Sequence, residues 1–265
     1  MLKVGLIGYG TIGKEIASHI SEGRAGNISV GAILTRSEYH AALPSILMTN
    51  NSDTFFNQEF DMIIEAAGHD ALKAYGTKVL SLGTDLLLLS TGALADTELY
   101  EKMSQTAKAN ACKIYIPSGA IAGLDRIASG TLGKIDEIKL VTSKPTKSWY
   151  GTIAEEQVNL ETIHKPHCLF AGSARDAAKL FPESVNAAAT LSFAGIGLDN
   201  TKVEVFVDPT IQQNVHKIIA VGEFGKMELS IQNNPAKTNP KSSPIVAMSV
   251  AKVLRNLTKE IVVGI

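Results

Sequence analysis

Cysteine is scarce: 265 residues contain two thiols, Cys112 and Cys168. That is too few for a disulfide framework and suits a reducing compartment. Neither sign of charge is in excess, since 25 Lys and Arg oppose 26 Asp and Glu. The balance argues against a nucleic-acid or polyanion partner. Long hydrophobic runs are missing as well. The longest purely aliphatic run, Leu86 to Leu89, is far short of the roughly 20 residues a membrane helix needs. A strand-like run starts within three residues of Met1, which is expected to leave no room for a signal peptide. There are no internal repeats or low-complexity stretches. These absences describe a soluble, cytoplasmic protein with no nucleic-acid and no membrane partner.

The chain is 45% hydrophobic, enough for a substantial core and for two lobes. In the first half, "KVGLIG" (3–8), "ISVGAIL" (28–34), "DMIIEAA" (61–67), "TDLLLLST" (84–91) and "CKIYIPS" (112–118) are near-continuous apolar runs. Such runs fit strands buried on both faces of a parallel sheet. Between them, residues 12–20, then Leu72, Tyr75, Val79 and Leu82, then Leu99, Met103 and Ala107 keep helical spacing, the last set behind an N-cap at Asp96. Strand and helix in alternation predict an α/β domain with a doubly wound parallel sheet over residues 1–120.

Gly8-Tyr9-Gly10-Thr11-Ile12-Gly13 directly follows the first strand and opens the first helix. That is the context in which a G-x-G-x-x-G turn binds a dinucleotide. Its first glycine makes the tight turn and its second admits the pyrophosphate. The third lets helix and strand pack closely, with the helix N-terminus facing the phosphates. After the second strand come Thr35, Arg36, Ser37 and then Glu38. An NAD-selective site usually carries an acidic residue there; Arg36 suits a 2′-phosphate instead and Ser37 can donate to it. Arg36 is otherwise a solvated loop cation, so NAD and NADP both stand as candidate cofactors.

The rhythm changes after Ser118-Gly119-Ala120. Residues 137–145 read as a strand, 174–181 as a helix stopped by Pro182, and 186–197 as a small-residue helix opened by Asn186. "TKVEVFV", "NVHKIIAV" and "KMELSIQ" then follow as three strands separated by short turns at Asp208-Pro209 and Phe224-Gly225. A second α+β domain with a mostly antiparallel sheet is therefore expected over 121–239. A final helix, within 240–265 and carrying Ile245, Met248, Val253 and Leu257, is expected to pack back on the first domain. His216 stands in the second of the three strands, where a valine would serve the sheet better; by itself a lone histidine in a strand is more often a satisfied structural residue than a catalytic one.

Several segments together resemble the L-aspartate dehydrogenase family: "GLIGYGTIG" (5–13), "STGALAD" (90–96), "IPSGAIAGLD" (116–125), "AGSARDAAKLFPESVNAAATL" (171–191), "VDPTIQQNVHKI" (207–218) and "NPKSSPI" (239–245). They run in family order across nearly the whole chain. The resemblance implies a Rossmann domain and a sheet-based catalytic domain that assembles as a homodimer or homotetramer. It also implies oxidation of L-aspartate to iminoaspartate, then oxaloacetate and ammonia, with NAD or NADP, or the reverse amination, in a role feeding NAD biosynthesis. It places the catalytic histidine at His216 and cofactor contacts at Ala120 and Asn186, beside those of Gly8, Gly10, Thr11, Ile12, Gly13 and Arg36. Histidine fits because its pKa near ~6.5 lets it take a proton close to neutral pH. A small residue such as Ala120 at a strand end admits the nicotinamide half. Asn186, at a helix start, can bind a carboxamide or simply cap the helix.

The substrate's two carboxylates need cations; Arg126, Lys144, Lys147 and Lys241 lie near the matched segments, unranked. "HKPHC" (164–168) gathers two histidines and a cysteine but lacks an evident fourth ligand, and no metal is assigned. Two alternatives stay open. Another two-lobed reductase is one, although Ser90-Thr91-Gly92-Ala93 stands where sugar dehydrogenases often carry Glu-Lys-Pro. A non-catalytic dinucleotide sensor is the other.

Overall fold

The computed structural model describes residues 1–36, 46–181, 186–236, 239 and 242–264. Ser37, Glu38, Pro182 and Lys241, named above, lie outside the described residues. The chain divides into two compact units, one formed by Met1–Gly119 with Pro244–Ile265 and the other by Ala120–Ser243.

The first unit runs β1 (Leu2–Ile7), α1 (Thr11–Ser21), β2 (Ile28–Leu34), β3 (Leu47–Thr49), α2 (Ser52–Phe56), β4 (Met62–Glu65), α3 (His69–Ser81), β5 (Asp85–Leu88), a 3₁₀ turn (Thr91–Ala95), α4 (Thr97–Ala109) and β6 (Ile114–Tyr115). Its six strands lie in the order β3-β2-β1-β4-β5-β6, all parallel. This is the doubly wound sheet that the apolar runs predict. β4, β5 and β6 are shorter than their runs, because the run ends belong to the connections. β3 and α2 are additions that no apolar run announced. The order reverses between β1 and β4, and ligands of open α/β sheets bind outside the strand ends at such a point.

The second unit holds α5 (Leu124–Gly130), β7 (Ile135–Lys144), α6 (Ala154–Gln157), β8 (His167–Ser173), α7 (Ala174–Leu180), α8 (Asn186–Ala194), β9 (Lys202–Val207), β10 (Asn214–Gly222) and β11 (Gly225–Asn233). The sheet order is β11-β10-β7-β9-β8, with β7 and β9 parallel and the other three pairings antiparallel. The sheet is thus mostly antiparallel, but β9 and β10 are not neighbours: β7 lies between them. Residues 208–213 therefore cross about two strand spacings, roughly 10 Å, which a tight two-residue hairpin cannot span. The β10–β11 connection is such a hairpin, closed by the Gly222–Gly225 pair.

One further helix, α9 (Pro244–Asn256), returns to the first unit. It buries Ala247, Val250, Ala251 and Leu254 in a core shared with Ile16, Ala17 and Ile20 of α1. Ile245, Met248 and Leu257, expected on the packing face, are exposed. The alanines let the helices approach more closely than Ile and Met would, so the small-residue stripe wins the interface.

Candidate active site

In the first unit the glycine turn is locked from two sides. Gly8 has φ +100°, and a Cβ there would lie 2.8 Å from the backbone of Ala66 and Ala67. A Cβ on Gly13 would lie 2.2 Å from the Gly8 carbonyl oxygen, so α1 and the turn touch backbone to backbone. Gly10 differs: among the described residues nothing stands within 4 Å of where its Cβ would be. Thr11 and Ile12 open α1, whose first turn has no acidic residue and whose N-cap, Gly10, contributes no side-chain hydrogen bond. By contrast α2 and α4 are capped by Asn51 and Asp96 and carry acids in their first turns, and α3 carries Asp70. Two glycines hold the turn, and the third leaves open space at a helix N-terminus with no acid in its first turn. This fits the pyrophosphate of a dinucleotide. Arg36 lies exposed just beyond β2, as a 2′-phosphate ligand would.

Sequence reasoning missed Glu65, the last residue of β4. It is 1% exposed. Its Oε1 accepts hydrogen bonds from Ala67 N (2.7 Å), Gly68 N (2.8 Å) and Ser90 Oγ (3.0 Å), and its Oε2 accepts from Ser90 N (3.1 Å). An acid closing an otherwise apolar, doubly buried strand was the available signal. Gly119, with φ +59°, donates its N–H to Ser249 Oγ at 3.1 Å.

In the second unit the strands alternate, and their inward positions are apolar until one end of the sheet. Along β7 these positions are Ile138, Leu140, Thr142 and Lys144; along β10, Ala220, Ile218, His216 and Asn214; along β11, Met227, Leu229, Ile231 and Asn233. Register puts His216 opposite Thr142 and Asn214 opposite Asn233. The polar residues of three strands therefore share one end of one face. Leu140, Thr142, Val203 and Val205 of that face line a small cavity with Ala177 of α7 and Ala188 of α8, so helices cover it. Asn186, two residues before Ala188, begins α8.

His216 is 6% exposed, and its Nδ1 lies 3.0 Å from Thr142 Oγ1. Burial, and secondarily the charge of Lys144, push its pKa from 6.5 down to about 4, so the imidazole is neutral at physiological pH. Lys144 thereby separates from the other candidate cations: its Nζ lies 5.3 Å from the ring centroid of Trp149, and Trp149, itself 1% exposed, donates Nε1–H to the Lys144 carbonyl at 3.3 Å. Arg126 instead points at Phe224, stacked on its ring and donating to its carbonyl. Asn233 Nδ2 donates to the Ala120 carbonyl at 2.8 Å, fixing the loop that carries Ala120. Among the described residues no three His, Cys, Asp or Glu side chains group as a metal site, and no helix is long and apolar enough to cross a membrane. His167 and Cys168 sit exposed at the start of edge strand β8.

A parallel sheet with a glycine turn at its switch point is the architecture of a dinucleotide-binding domain, and the second sheet carries a buried histidine at its polar end. Comparison with known proteins makes this specific. Residues 8–117 match the family model "Homoserine dehydrogenase, NAD binding domain", and residues 125–257 match "Aspartate dehydrogenase, C-terminal". L-aspartate dehydrogenase from Methanosarcina barkeri is 38% identical over 271 aligned positions, covering 100% of both chains. That from Serratia proteamaculans is 35% identical over 262, covering 97% of each. The crystal structure of aspartate dehydrogenase from Thermotoga maritima superposes with a TM-score of 0.80 at 25% identity, covering 99% of each chain. The chain belongs to the L-aspartate dehydrogenase family.

Proposed function

We propose that the protein oxidises L-aspartate at its amino group with NAD or NADP, giving iminoaspartate and, on hydrolysis, oxaloacetate and ammonia; reductive amination is the same reaction reversed. The observation that carries this reading is the neutral, buried imidazole of His216 beside Lys144, in a chain of this family. When bound, the dinucleotide supplies the hydride acceptor. Gly8, Gly10, Thr11, Ile12 and Gly13 would hold its pyrophosphate, with Ala120 and Asn186 at its nicotinamide half. Arg36 would accept a 2′-phosphate, so NADP is used alongside NAD.

Substrate nitrogen arrives as ammonium and must lose a proton before its lone pair can form the C=N bond as the Cα hydrogen departs as hydride. With Nδ1–H donated to Thr142 Oγ1, the Nε2 of His216 carries the lone pair that takes this proton. Lys144 binds a substrate carboxylate. Its charge is then neutralised, which removes the smaller of the two causes that lower the His216 pKa and lets it rise while burial still holds it below the usual histidine value. The base thus gains strength when substrate is in place. The imidazolium first releases its proton to solvent. The neutral imidazole then takes a proton from the water that attacks the iminium carbon and passes it to the nitrogen, which departs as ammonia while the carbinol oxygen loses its remaining proton to form the carbonyl.

On the sheet face opposite His216, Val141, Phe206, Val215 and Ile219 are only half-buried, which supports assembly as a homodimer or homotetramer. The scarce, unpaired cysteines support a cytoplasmic location. The product would serve NAD biosynthesis. Initial-rate absorbance at the reduced-nicotinamide band tests the reading, with L-aspartate and either NAD or NADP, then with oxaloacetate and ammonium. Turnover specific for aspartate is expected, along with a change in Trp149 fluorescence as Lys144 engages substrate. Cofactor binding without turnover in either direction would return the protein to the sensor or to another reductase.

A further inference from the structure

We propose that Glu65 sets the geometry of the cofactor-binding rim and is a positioning residue for the dinucleotide, an inference that rests on the dinucleotide-dependent reading above. A buried carboxylate at the end of a doubly buried strand is costly, and an aliphatic residue would close β4 without that desolvation. What the carboxylate does instead is gather loops. It accepts from Ala67 N, Gly68 N, Ser90 N and Ser90 Oγ, at 2.7 to 3.1 Å. These donors come from the connections after β4 and β5, which are adjacent strands. The connection after β4 also packs against the glycine turn, which follows β1. A Cβ on Gly8 would meet the Ala66 carbonyl at 2.8 Å, and Ala66 N donates to the Ile7 carbonyl at 2.8 Å.

One side chain therefore ties the segments that follow β4 and β5, and the backbone of Ala66 packs the first of them against the turn that follows β1, at the switch point of the sheet. The loop N–H groups of Ala67, Gly68 and Ser90 turn inward to Glu65, which fixes their backbones as a floor at a height set by one carboxylate. Glutamine keeps the shape but offers one acceptor oxygen and an NH₂ group, so at least one inward donor faces another donor. The loops must then shift, and the glycine turn shifts with them.

The test compares the unaltered protein with Glu65→Gln and Ser90→Ala. It measures the NADH and NADPH dissociation constants by nicotinamide fluorescence, the aspartate KM at saturating cofactor, and Tm. Glu65→Gln is expected to weaken cofactor binding about tenfold, and Ser90→Ala, which loses only the hydroxyl donor, about threefold. The aspartate KM should stay unchanged in both. A lower Tm with cofactor affinity within about twofold of the unaltered protein, measured where the variant is folded, would overturn the proposal and make Glu65 a fold residue only. Should Glu65→Gln not fold, the Ser90→Ala dissociation constant decides by the same comparison. Failure of the unaltered chain to bind either dinucleotide overturns the functional reading itself. Binding that Glu65→Gln leaves intact overturns only the role of Glu65.

Discussion

The proposed ligand surfaces of the two units are built by different means. In the first, the ligand-facing surface is backbone: a glycine turn, the start of α1, and loops gathered by Glu65. In the second it is side chains, with His216, Thr142, Lys144, Asn214 and Asn233 converging from β7, β10 and β11. Backbone recognition depends on local conformation. Side-chain recognition across strands depends on register, and register is set by pairing between residues far apart in the chain.

The difference gives four ways to strain the account. The largest effect lies in the pH dependence of stability. Folding lowers the His216 pKa from 6.5 to about 4, so between those values the unfolded chain binds a proton that the folded chain does not. The stability linked to this group is present in full above pH 6.5 and is lost as pH falls through about 4, a swing of about 3 kcal/mol. Denaturant titrations across that range should show this slope in the natural protein and its loss in His216→Leu. Equal slopes in the two would contradict the buried, neutral imidazole.

Lys144→Met should raise the aspartate KM about thirtyfold, as expected for losing a charge-assisted contact worth ~2 kcal/mol. The same change removes a charge that holds the His216 pKa down, so the acid limb of kcat/KM should move to higher pH. Cofactor affinity should not change.

In the first unit, Gly13→Ala forces a Cβ to within 2.2 Å of the Gly8 carbonyl and should cost about 1–2 kcal/mol of stability as well as cofactor affinity. Gly10→Ala places its methyl in open space and should weaken cofactor binding while leaving Tm unchanged. If both variants lost only stability, the turn would not be a ligand site.

The smallest effect is at Thr142. Replacing it with valine removes the partner of His216 Nδ1 and should lower kcat about fivefold, near 1 kcal/mol, with KM little changed. Thr142→Ser should restore the rate.

Legibility followed the same division. The parallel sheet could be read because doubly buried strands are continuous apolar runs, and Gly8, Gly10 and Gly13 because a phosphate-binding turn is contiguous. His216 could be read only through family resemblance; nothing adjacent in the chain marks it. Among its neighbours only Lys144 was singled out; Thr142, after Ile138 and Leu140, was visible as a polar residue in the apolar phase of an alternation. Their convergence was not, because β7 intervenes between β9 and β10, and a six-residue connection does not reveal that. Glu65 went unread for the opposite reason. It looked like an ordinary strand end, and its partner Ser90 lies 25 residues away.

The most direct test of the central claim, that His216 is the base for aspartate oxidation, compares His216→Ala with the natural protein for both turnover and cofactor binding. The account predicts kcat lower by about 10²–10⁴-fold with NAD(P)H affinity retained, because the base and the glycine turn belong to separate units. Comparable turnover in the variant, or loss of cofactor binding in step with activity, would contradict it.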